Sequence, residues 1–270
     1  MHAAFLIMLF IIGACLGSFL CCQARRLNLR LAHPKVAKSL GSRSICLSCH
    51  KKIEWYDNLP IVSWLLLKGK CRYCHHRIGY AEIISELSLG LSFLCLGATF
   101  IPTSASVLEW VAFIVLLFFT TIIGFLAIYD GLYGELPTLF LYLAIVVAFI
   151  ILMINKNLIT PSAPFSIADV LNPLFSVAIL GGTYLVLYLV SKGKWVGDGD
   201  WLLATAIALV LSHPWLALNT LFIANLTACI IMLPIVGKKR SRQIHLGPFL
   251  VIGFVIVYSA SNFFSSLIGV

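Results

Sequence analysis

The sequence predicts an all-α integral membrane protein with about eight transmembrane helices. Of its 270 residues, 61% are hydrophobic and only 11% are charged, and the mean hydropathy is +1.02. Most of its apolar runs approach the ~20 residues that a helix needs to cross a bilayer core. Because backbone groups in lipid must bond within their own segment, these runs are expected to be helical. The lipid bilayer is therefore a predicted partner.

Eight apolar segments alternate with polar connections. The first lies where a signal peptide would, but it lacks a basic N-terminal region and a clear cleavage site before Arg25 and Arg26, so a retained span is expected. The sixth is short and is the one expected to be half-buried or tilted. The predicted spans are residues 3–22, 83–101, 107–130, 136–154, 170–190, 200–213, 215–236 and 248–268.

Basic residues predict the orientation of these spans. Eighteen of the nineteen Lys and Arg residues lie between spans one and two, five and six, or seven and eight, and only Lys156 lies elsewhere. Because short loops rich in Lys and Arg stay in the cytosol, these three loops are predicted to be cytosolic and both termini external. The net charge of +9 is then a topology signal with some attraction to anionic headgroups, and no nucleic-acid partner is predicted.

The chain is predicted to have two parts. Residues 1–82 hold the first span and a long cytosolic loop, whereas residues 83–270 form a seven-span bundle with short connections. The segment 155–169 contains Pro161 and Pro164, which is typical of an exposed external connection.

Two acidic residues stand at the ends of predicted spans. Asp130 closes the third span, and Asp200 opens the sixth directly after Gly197, Asp198 and Gly199. The alternation of spans places both carboxylates at the predicted cytosolic face, where acidic groups are costly and are functional candidates. Two facing carboxylates predict an acid–base pair that shares one proton. In the plainer interpretation, each Asp only caps a helix or lies in headgroup water.

Such a pair can hydrolyse a peptide without a metal ion. The ionised carboxylate removes a proton from water, and the protonated one donates a hydrogen bond to the substrate carbonyl, as in aspartic proteases. Asp198 is an alternative to Asp200, and Glu135 is an alternative to Asp130. Glu86 is a further acidic residue within a predicted span, with either a structural or a proton-linked role.

Four cysteines form two Cys-x-x-Cys pairs in the loop after the first span. The pairs are separated by 21 residues, and four thiolates at such a spacing can hold tetrahedral Zn²⁺. A cytosolic loop disfavours stable disulfides, which leaves a redox pair or unligated thiols as alternatives. His50, His75 and His76 stand beside the pairs and either replace a ligand or are solvated. The predicted zinc ligands are Cys46, Cys49, Cys71 and Cys74.

The motifs around the two aspartates resemble those of bacterial type IV prepilin peptidases. The run Gly197-Asp198-Gly199-Asp200 matches the Gly-x-Gly-Asp motif of that family, and Asp130 is followed six residues later by Leu136-Pro137, which matches the partner motif. The block from Ile53 to Cys74 and the run Gly247-Pro248-Phe249 resemble the family as well. The resemblance covers nearly the full chain and implies that Asp130 and Asp200 are the catalytic aspartates.

The resemblance implies an enzyme of the bacterial inner membrane with two activities. The first cleaves the basic leader of type IV prepilins or pseudopilins at the cytosolic face. The second transfers a methyl group from S-adenosylmethionine to the new N-terminus, and it rests wholly on the resemblance. The chain departs from the family pattern at three positions. Cys21 stands where Asn is usual, Thr138 where Asp or Asn is usual, and Leu202 where Lys is usual. These departures bear on substrate preference, methylation and electrostatics near Asp200.

Two other function classes account for parts of the sequence. A membrane thiol oxidoreductase would use the four loop cysteines, but it needs them on the oxidising side, which the distribution of basic residues disfavours. An ion-coupled transporter would use Asp130, Asp200 and Glu86 at membrane depth. Neither class explains the block from Trp55 to Cys74. A peptidase that lacks methyltransferase activity is a further alternative.

Overall fold

A computed structural model describes residues 2–32, 46, 48–49, 51–102, 106–159, 166–236 and 245–261. Helices dominate these residues, and no named strand occurs among them. The elements are α1 (His2–Ala32), a 3-10 turn (Trp55–Asn58), α2 (Val62–Leu66), α3 (Ala81–Phe100), α4 (Val107–Tyr133), α5 (Thr138–Ile159), α6 (Ala168–Ser191), α7 (Asp200–Leu211), α8 (Pro214–Val236) and α9 (Gly247–Ser259).

The predicted fold class is confirmed by eight apolar helices in the described residues. Six of them, namely α1, α3, α4, α5, α6 and α8, are long and apolar enough to cross a membrane. The other two, α7 and α9, are apolar but span only 12 and 13 residues. α1 extends to Ala32, ten residues past the predicted end of the first span. Arg30 lies in its last turn, where a cation is favourable because the C-terminal end of a helix carries partial negative charge.

The chain divides into two compact units, Met1–Leu94 and Cys95–Val270. The division falls inside α3, and the boundary predicted from the sequence lies near the start of the same helix. In the first unit, α1 and α3 pack closely at glycines. A side chain on Gly13 would lie 2.7 Å from the Leu89 carbonyl oxygen, and one on Gly17 would collide with the backbone of Ser85. Arg25 and Glu82 join the same two helices through an ion pair at 2.6 Å.

The second unit is a bundle of apolar helices arranged around α7. α7 packs against α5, α6, α8 and α9, while α4 packs against α5 and α9. The buried residues of α7 include Leu203, Ala204, Ile207 and Ala208. A side chain on Gly181 of α6 would collide with Thr205 of α7. Because small residues let neighbouring helices approach on several sides, α7 is enclosed by protein, which explains how a helix too short to span a bilayer is accommodated.

Candidate active site

Asp130 lies on the stripe of α4 that faces the core of the second unit. Phe119, Ile123, Leu126 and Asp130 follow one another at helical spacing and are all buried. Asp130 is only 5% exposed, and its Oδ2 accepts a hydrogen bond from the backbone N–H of Gly247 at 2.9 Å. Burying a charged group without a partner is costly, so this amide offsets part of the cost of burying Asp130.

The end of α4 is fixed one turn after Asp130. Gly134 adopts a φ of 73° and donates its backbone N–H to the Asp130 carbonyl at 2.8 Å. Glycine adopts this left-handed conformation without steric cost, so the helix stops here and the chain turns toward Leu136. Asp130 therefore lies within the last turn of α4.

Asp200 is the first residue of α7 and lies on the buried stripe of that helix, with Leu203, Ala204 and Ile207 following on the same side. Its residue exposure is 6%. The Oδ2 atom accepts a hydrogen bond from the backbone N–H of Gly197 at 2.9 Å. The carboxylate is thus held by an amide that precedes the helix, and the partial positive charge at the N-terminus of α7 adds to its stabilisation.

The structure brings the two predicted aspartates together in the second unit. The Asp130 carboxylate is close enough to repel the Asp200 carboxylate. Asp198 and Glu135, the two alternatives named from the sequence, are both exposed, whereas Asp130 and Asp200 are buried. Asp198 also repels Asp200, more weakly than Asp130 does. Two buried carboxylates that interact directly can exchange roles as acid and base.

The remaining motif residues shape the backbone beside Asp200. A side chain on Gly199 would lie 2.7 Å from the Leu136 Cβ, so only glycine allows this close contact. Leu136 in turn packs against the core of the unit. The Pro137 carbonyl accepts the backbone N–H groups of Phe140 and Leu141 at the start of α5. The Leu-Pro pair thus links the segment after Asp130 to the segment before Asp200.

Sequence reasoning missed one residue at this site, His245. Its Nδ1 lies 3.7 Å from Asp130 Oδ1, and it is also close enough to attract the Asp200 carboxylate. The only sequence signal in its neighbourhood is the run Gly247-Pro248-Phe249, which resembles the family pattern but does not include His245. A side chain on Gly247 would lie 2.8 Å from Asp130 Oδ2, which explains why glycine is needed there.

The four predicted zinc ligands form a second cluster in the first unit. The sulfur atoms of Cys46, Cys49, Cys71 and Cys74 all lie within 4.8 Å of one another, and those of Cys46 and Cys74 are 3.8 Å apart. All nine cysteines of the chain are free thiols. His75 and His76 do not belong to the cluster, and His50 lies outside the described residues.

Both cysteine pairs are held by the same type of turn. The N–H of Cys46 donates to the Lys51 carbonyl at 3.0 Å, and the N–H of Cys71 donates to the His76 carbonyl at 2.9 Å. Each turn thus runs from the first cysteine of a pair to the residue five positions later. The second turn is extended by a bridge between Lys70 and Arg77. The repeated geometry explains why two short, separate segments present their sulfurs to one point.

The cluster fits a tetrahedral metal ion. Zn–S bonds of ~2.3 Å place the sulfurs of a regular tetrahedron ~3.8 Å apart, which is the separation of Cys46 and Cys74. The backbone amide of Cys49 lowers the pKa of Cys46 to about 7. At Cys49 the Lys51 amide also lowers the pKa, but burial and the other three thiols outweigh it and raise that pKa to about 11. The cluster therefore favours a thiolate at Cys46, and thiolates are the form that binds metal.

Glu86 connects α3 to the start of α2 within the first unit. It is 5% exposed, and its Oε2 accepts the backbone N–H of Ile61 at 2.6 Å. Ile61 has a φ of 62°, which is strained for a β-branched residue. The buried carboxylate of α3 thus holds the strained start of α2, and the loop that carries the cysteines is attached to this helix.

Comparisons with known proteins agree with this arrangement. Residues 11–100 match the family model of the Bacterial Peptidase A24 N-terminal domain. A protein of Vibrio cholerae serotype O1 named prepilin leader peptidase/N-methyltransferase is 30% identical over 96% of this chain and 98% of its own length. Proteins with the same name from Dickeya chrysanthemi and Pectobacterium carotovorum are 28% and 27% identical, cover 77% and 78% of this chain, and are themselves covered over 70% and 72%. No solved structure shows a significant match. The chain therefore belongs to the prepilin leader peptidase/N-methyltransferase family.

Proposed function

We propose that the protein cleaves the leader peptide of type IV prepilins or pseudopilins with Asp130 and Asp200 as its catalytic pair. The observation that carries this proposal is the meeting of two buried carboxylates from different helices, each with one oxygen held by a backbone amide. The names of the relatives supply the substrate class. A lone buried carboxylate has a structural explanation, but two that repel each other impose a cost that an acid–base function accounts for.

The chemistry that follows is the hydrolysis of one peptide bond. The ionised carboxylate takes a proton from water, and the oxygen of that water forms a bond to the scissile carbonyl carbon. The protonated carboxylate donates a hydrogen bond to the carbonyl oxygen as it gains negative charge. The tetrahedral intermediate then breaks its C–N bond, and the leaving amine takes a proton from the pair. The pair returns to its initial state with one proton shared, and coupled groups of this kind titrate as a unit.

The active site is proposed to lie at the cytosolic face of the bacterial inner membrane. Eighteen of the nineteen Lys and Arg residues fall on one side of an eight-helix topology, either in its loops or in the C-terminal part of α1, and such basic segments stay in the cytosol. Asp130 ends one apolar helix and Asp200 begins another, so both fall on this side. A prepilin with an apolar helix and a basic leader would present its scissile bond near the headgroups, where water is available.

A second activity, methylation of the new N-terminus, is proposed from the names of the relatives and from the match of residues 11–100 to the family's N-terminal domain. S-adenosylmethionine would supply the methyl group. The described residues present no set of side chains that identifies a binding site for this donor.

The four cysteines of the first unit are proposed to hold a structural Zn²⁺. Cys46, Cys49, Cys71 and Cys74 would donate four thiolates and leave no open coordination position, which is typical of structural sites. A bound ion would join two turns that lie far apart in the sequence. A thiol oxidoreductase would instead need pairs that cycle through disulfides.

The proposal is tested by co-expression with a type IV prepilin and measurement of the intact mass of the pilin. Wild type, Asp130→Asn and Asp200→Asn are compared, with Glu135→Gln as a matched control because Glu135 is an exposed carboxylate beside the same motif. We expect loss of the leader with wild type and the control only, and the further mass of one methyl group if the second activity is present.

Leader loss in either Asn variant would contradict the catalytic pair. Unprocessed pilin with wild type, in a membrane that contains the folded enzyme and with a pilin from the same source, would contradict the peptidase assignment. Ion flux into vesicles that contain the purified protein would then favour a transporter.

A further inference from the structure

A short segment before and at the start of α9 contacts both oxygens of the Asp130 carboxylate. The backbone N–H of Gly247 donates to Oδ2 at 2.9 Å, and Nδ1 of His245 lies 3.7 Å from Oδ1. The two contacts come from residues only two positions apart, whereas Asp130 is more than a hundred residues away in the chain. This segment therefore restricts the rotation of the Asp130 side chain from both sides.

The packing around the imidazole ring is specific. A side chain on Gly134 would lie 2.7 Å from the Cε1 atom of His245, so the ring occupies the space that this glycine leaves open. Gly134 is also the residue whose left-handed conformation ends α4. The side chain of His245 is 32% exposed, so one part of the ring contacts protein and another contacts solvent.

Two carboxylates, from two different helices, interact with His245. Asp130 approaches it from α4, and Asp200 is attracted to it from α7. Asp198, in the loop before α7, adds a further negative charge that acts on Asp200. Asp130 lies in the last turn of α4, where the partial negative charge of the helix end is unfavourable for a carboxylate and favourable for a cation. A protonated imidazole at this point would offset both effects.

We propose that His245 is a positioning residue of the Asp130–Asp200 pair, which orients the Asp130 carboxylate and, when protonated, supplies the positive charge that balances the two acids. This inference rests on the proposed function, because it assigns His245 a role in the same reaction. His245 does not exchange a proton with the substrate. It acts through Asp130, by fixing the direction of Oδ1 and by stabilising the state in which the pair carries one negative charge.

The test measures prepilin cleavage by the purified full-length enzyme as a function of pH. Wild type is compared with His245→Gln, which is neutral and close in size, and with His245→Lys, which keeps a positive charge. His213→Gln is the matched control, because His213 lies at the opposite end of α7 from Asp200, and its Nδ1 accepts the backbone N–H of Trp215.

We expect His245→Gln to lower kcat about tenfold at an unchanged KM, the lower end of the effect of a misplaced catalytic group. We also expect the acid limb of its pH profile to move upward by about one pH unit, since a neighbouring opposite charge shifts a carboxylate by at least this much. His245→Lys should keep the acid limb of wild type, because it keeps a positive charge beside Asp130. His213→Gln should match wild type throughout.

An unchanged kcat and pH profile in His245→Gln would overturn the proposal. Equal losses in the Gln and Lys variants with no change in either profile would also overturn it, because they would indicate packing alone. If His245→Gln is not recovered folded, His245→Lys decides, and an acid limb that moves upward in this variant would contradict the role of the charge. These outcomes differ from a failure of the proposed function, in which wild type itself does not cleave prepilin.

Discussion

The two units of this protein assemble their reactive groups in opposite ways. The carboxylate pair of the second unit joins residues 130 and 200 from two helices, and it depends on how apolar helices pack around α7. The cysteine cluster of the first unit joins two short turns, and each turn is closed by its own backbone hydrogen bond. The acids are about 5% exposed, whereas Cys74 is exposed and Cys46 and Cys49 are partly so.

This difference predicts different sensitivities. A buried pair held by helix packing should respond to changes of a single atom near the carboxylates, because packed interiors do not absorb added volume. A cluster held by turns on the surface should respond to metal and to proton concentration, because a metal site of this kind couples binding to folding. A change that affects one unit should therefore leave the other unit in place.

The largest effect is expected for Asp200→Asn. Removing one member of an acid–base pair should lower cleavage by roughly a thousandfold or more, while the zinc content of the purified protein stays at its wild-type value. Cleavage of a fluorescent prepilin peptide in nanodiscs and metal analysis of the same sample provide the two readings. Loss of zinc in this variant would show that the two units are not independent.

Cys71→Ser is expected to lower the zinc content and to leave cleavage in place. Cys71 is the buried ligand of the cluster, and its loss leaves three thiolates where a structural zinc site needs four. Most of the bound zinc should be lost, and the loop should become sensitive to proteolysis, while the cleavage activity is retained. Cys229→Ser is the control, because Cys229 is an exposed thiol on α8. Full zinc retention in Cys71→Ser would contradict the assignment of the ligands.

A smaller effect is expected for Gly247→Ala. The added methyl group would lie 2.8 Å from Asp130 Oδ2, so the carboxylate or the start of α9 must move. A shift of this size at a catalytic group lowers cleavage by about 10- to 100-fold. In Gly182→Ala the nearest atom is 3.8 Å away, so this control should cleave normally. Equal activity of the two variants would argue against a fixed Asp130.

The smallest effect is expected when the pH is lowered, which should weaken the affinity of the cysteine cluster for zinc. The amide of Cys49 lowers the pKa of Cys46 to about 7, below the ordinary value of a thiol. A group with a lowered pKa stabilises the folded loop at high pH, and this stabilisation is lost as the pH falls through about 7. Competition with a chelator should therefore show weaker zinc binding on acidification. Binding that strengthens on acidification would contradict a thiolate site.

The sequence predicted features that depend on local spacing better than features that depend on packing. The Cys-x-x-Cys pairs are local, and the structure brings their four sulfurs together as expected. The C-terminal end of α4 and the start of α7 also lie close to the predicted positions, because Asp130 closes one apolar run and Asp200 opens another.

His245 could not be predicted because its partner is remote. It follows the described α8 only after a segment of basic residues, and no periodicity or motif connects it to Asp130. Its contact depends on the turn at Gly134 and on the approach of Gly247 to Asp130, which are properties of the folded unit. The length of α1 was underestimated for a different reason. Arg25 and Arg26 end the apolar run, but they do not end the helix.

The most direct test of the carboxylate pair is a double-mutant comparison of cleavage by the purified enzyme. The value of kcat/KM is measured for wild type, Asp130→Asn, Asp200→Asn and the variant that carries both changes. Residues that act as one unit are strongly non-additive, so each single change should cost as much as both together. If the double variant is slower than wild type by the product of the two separate effects, the two aspartates act independently and do not form a catalytic pair.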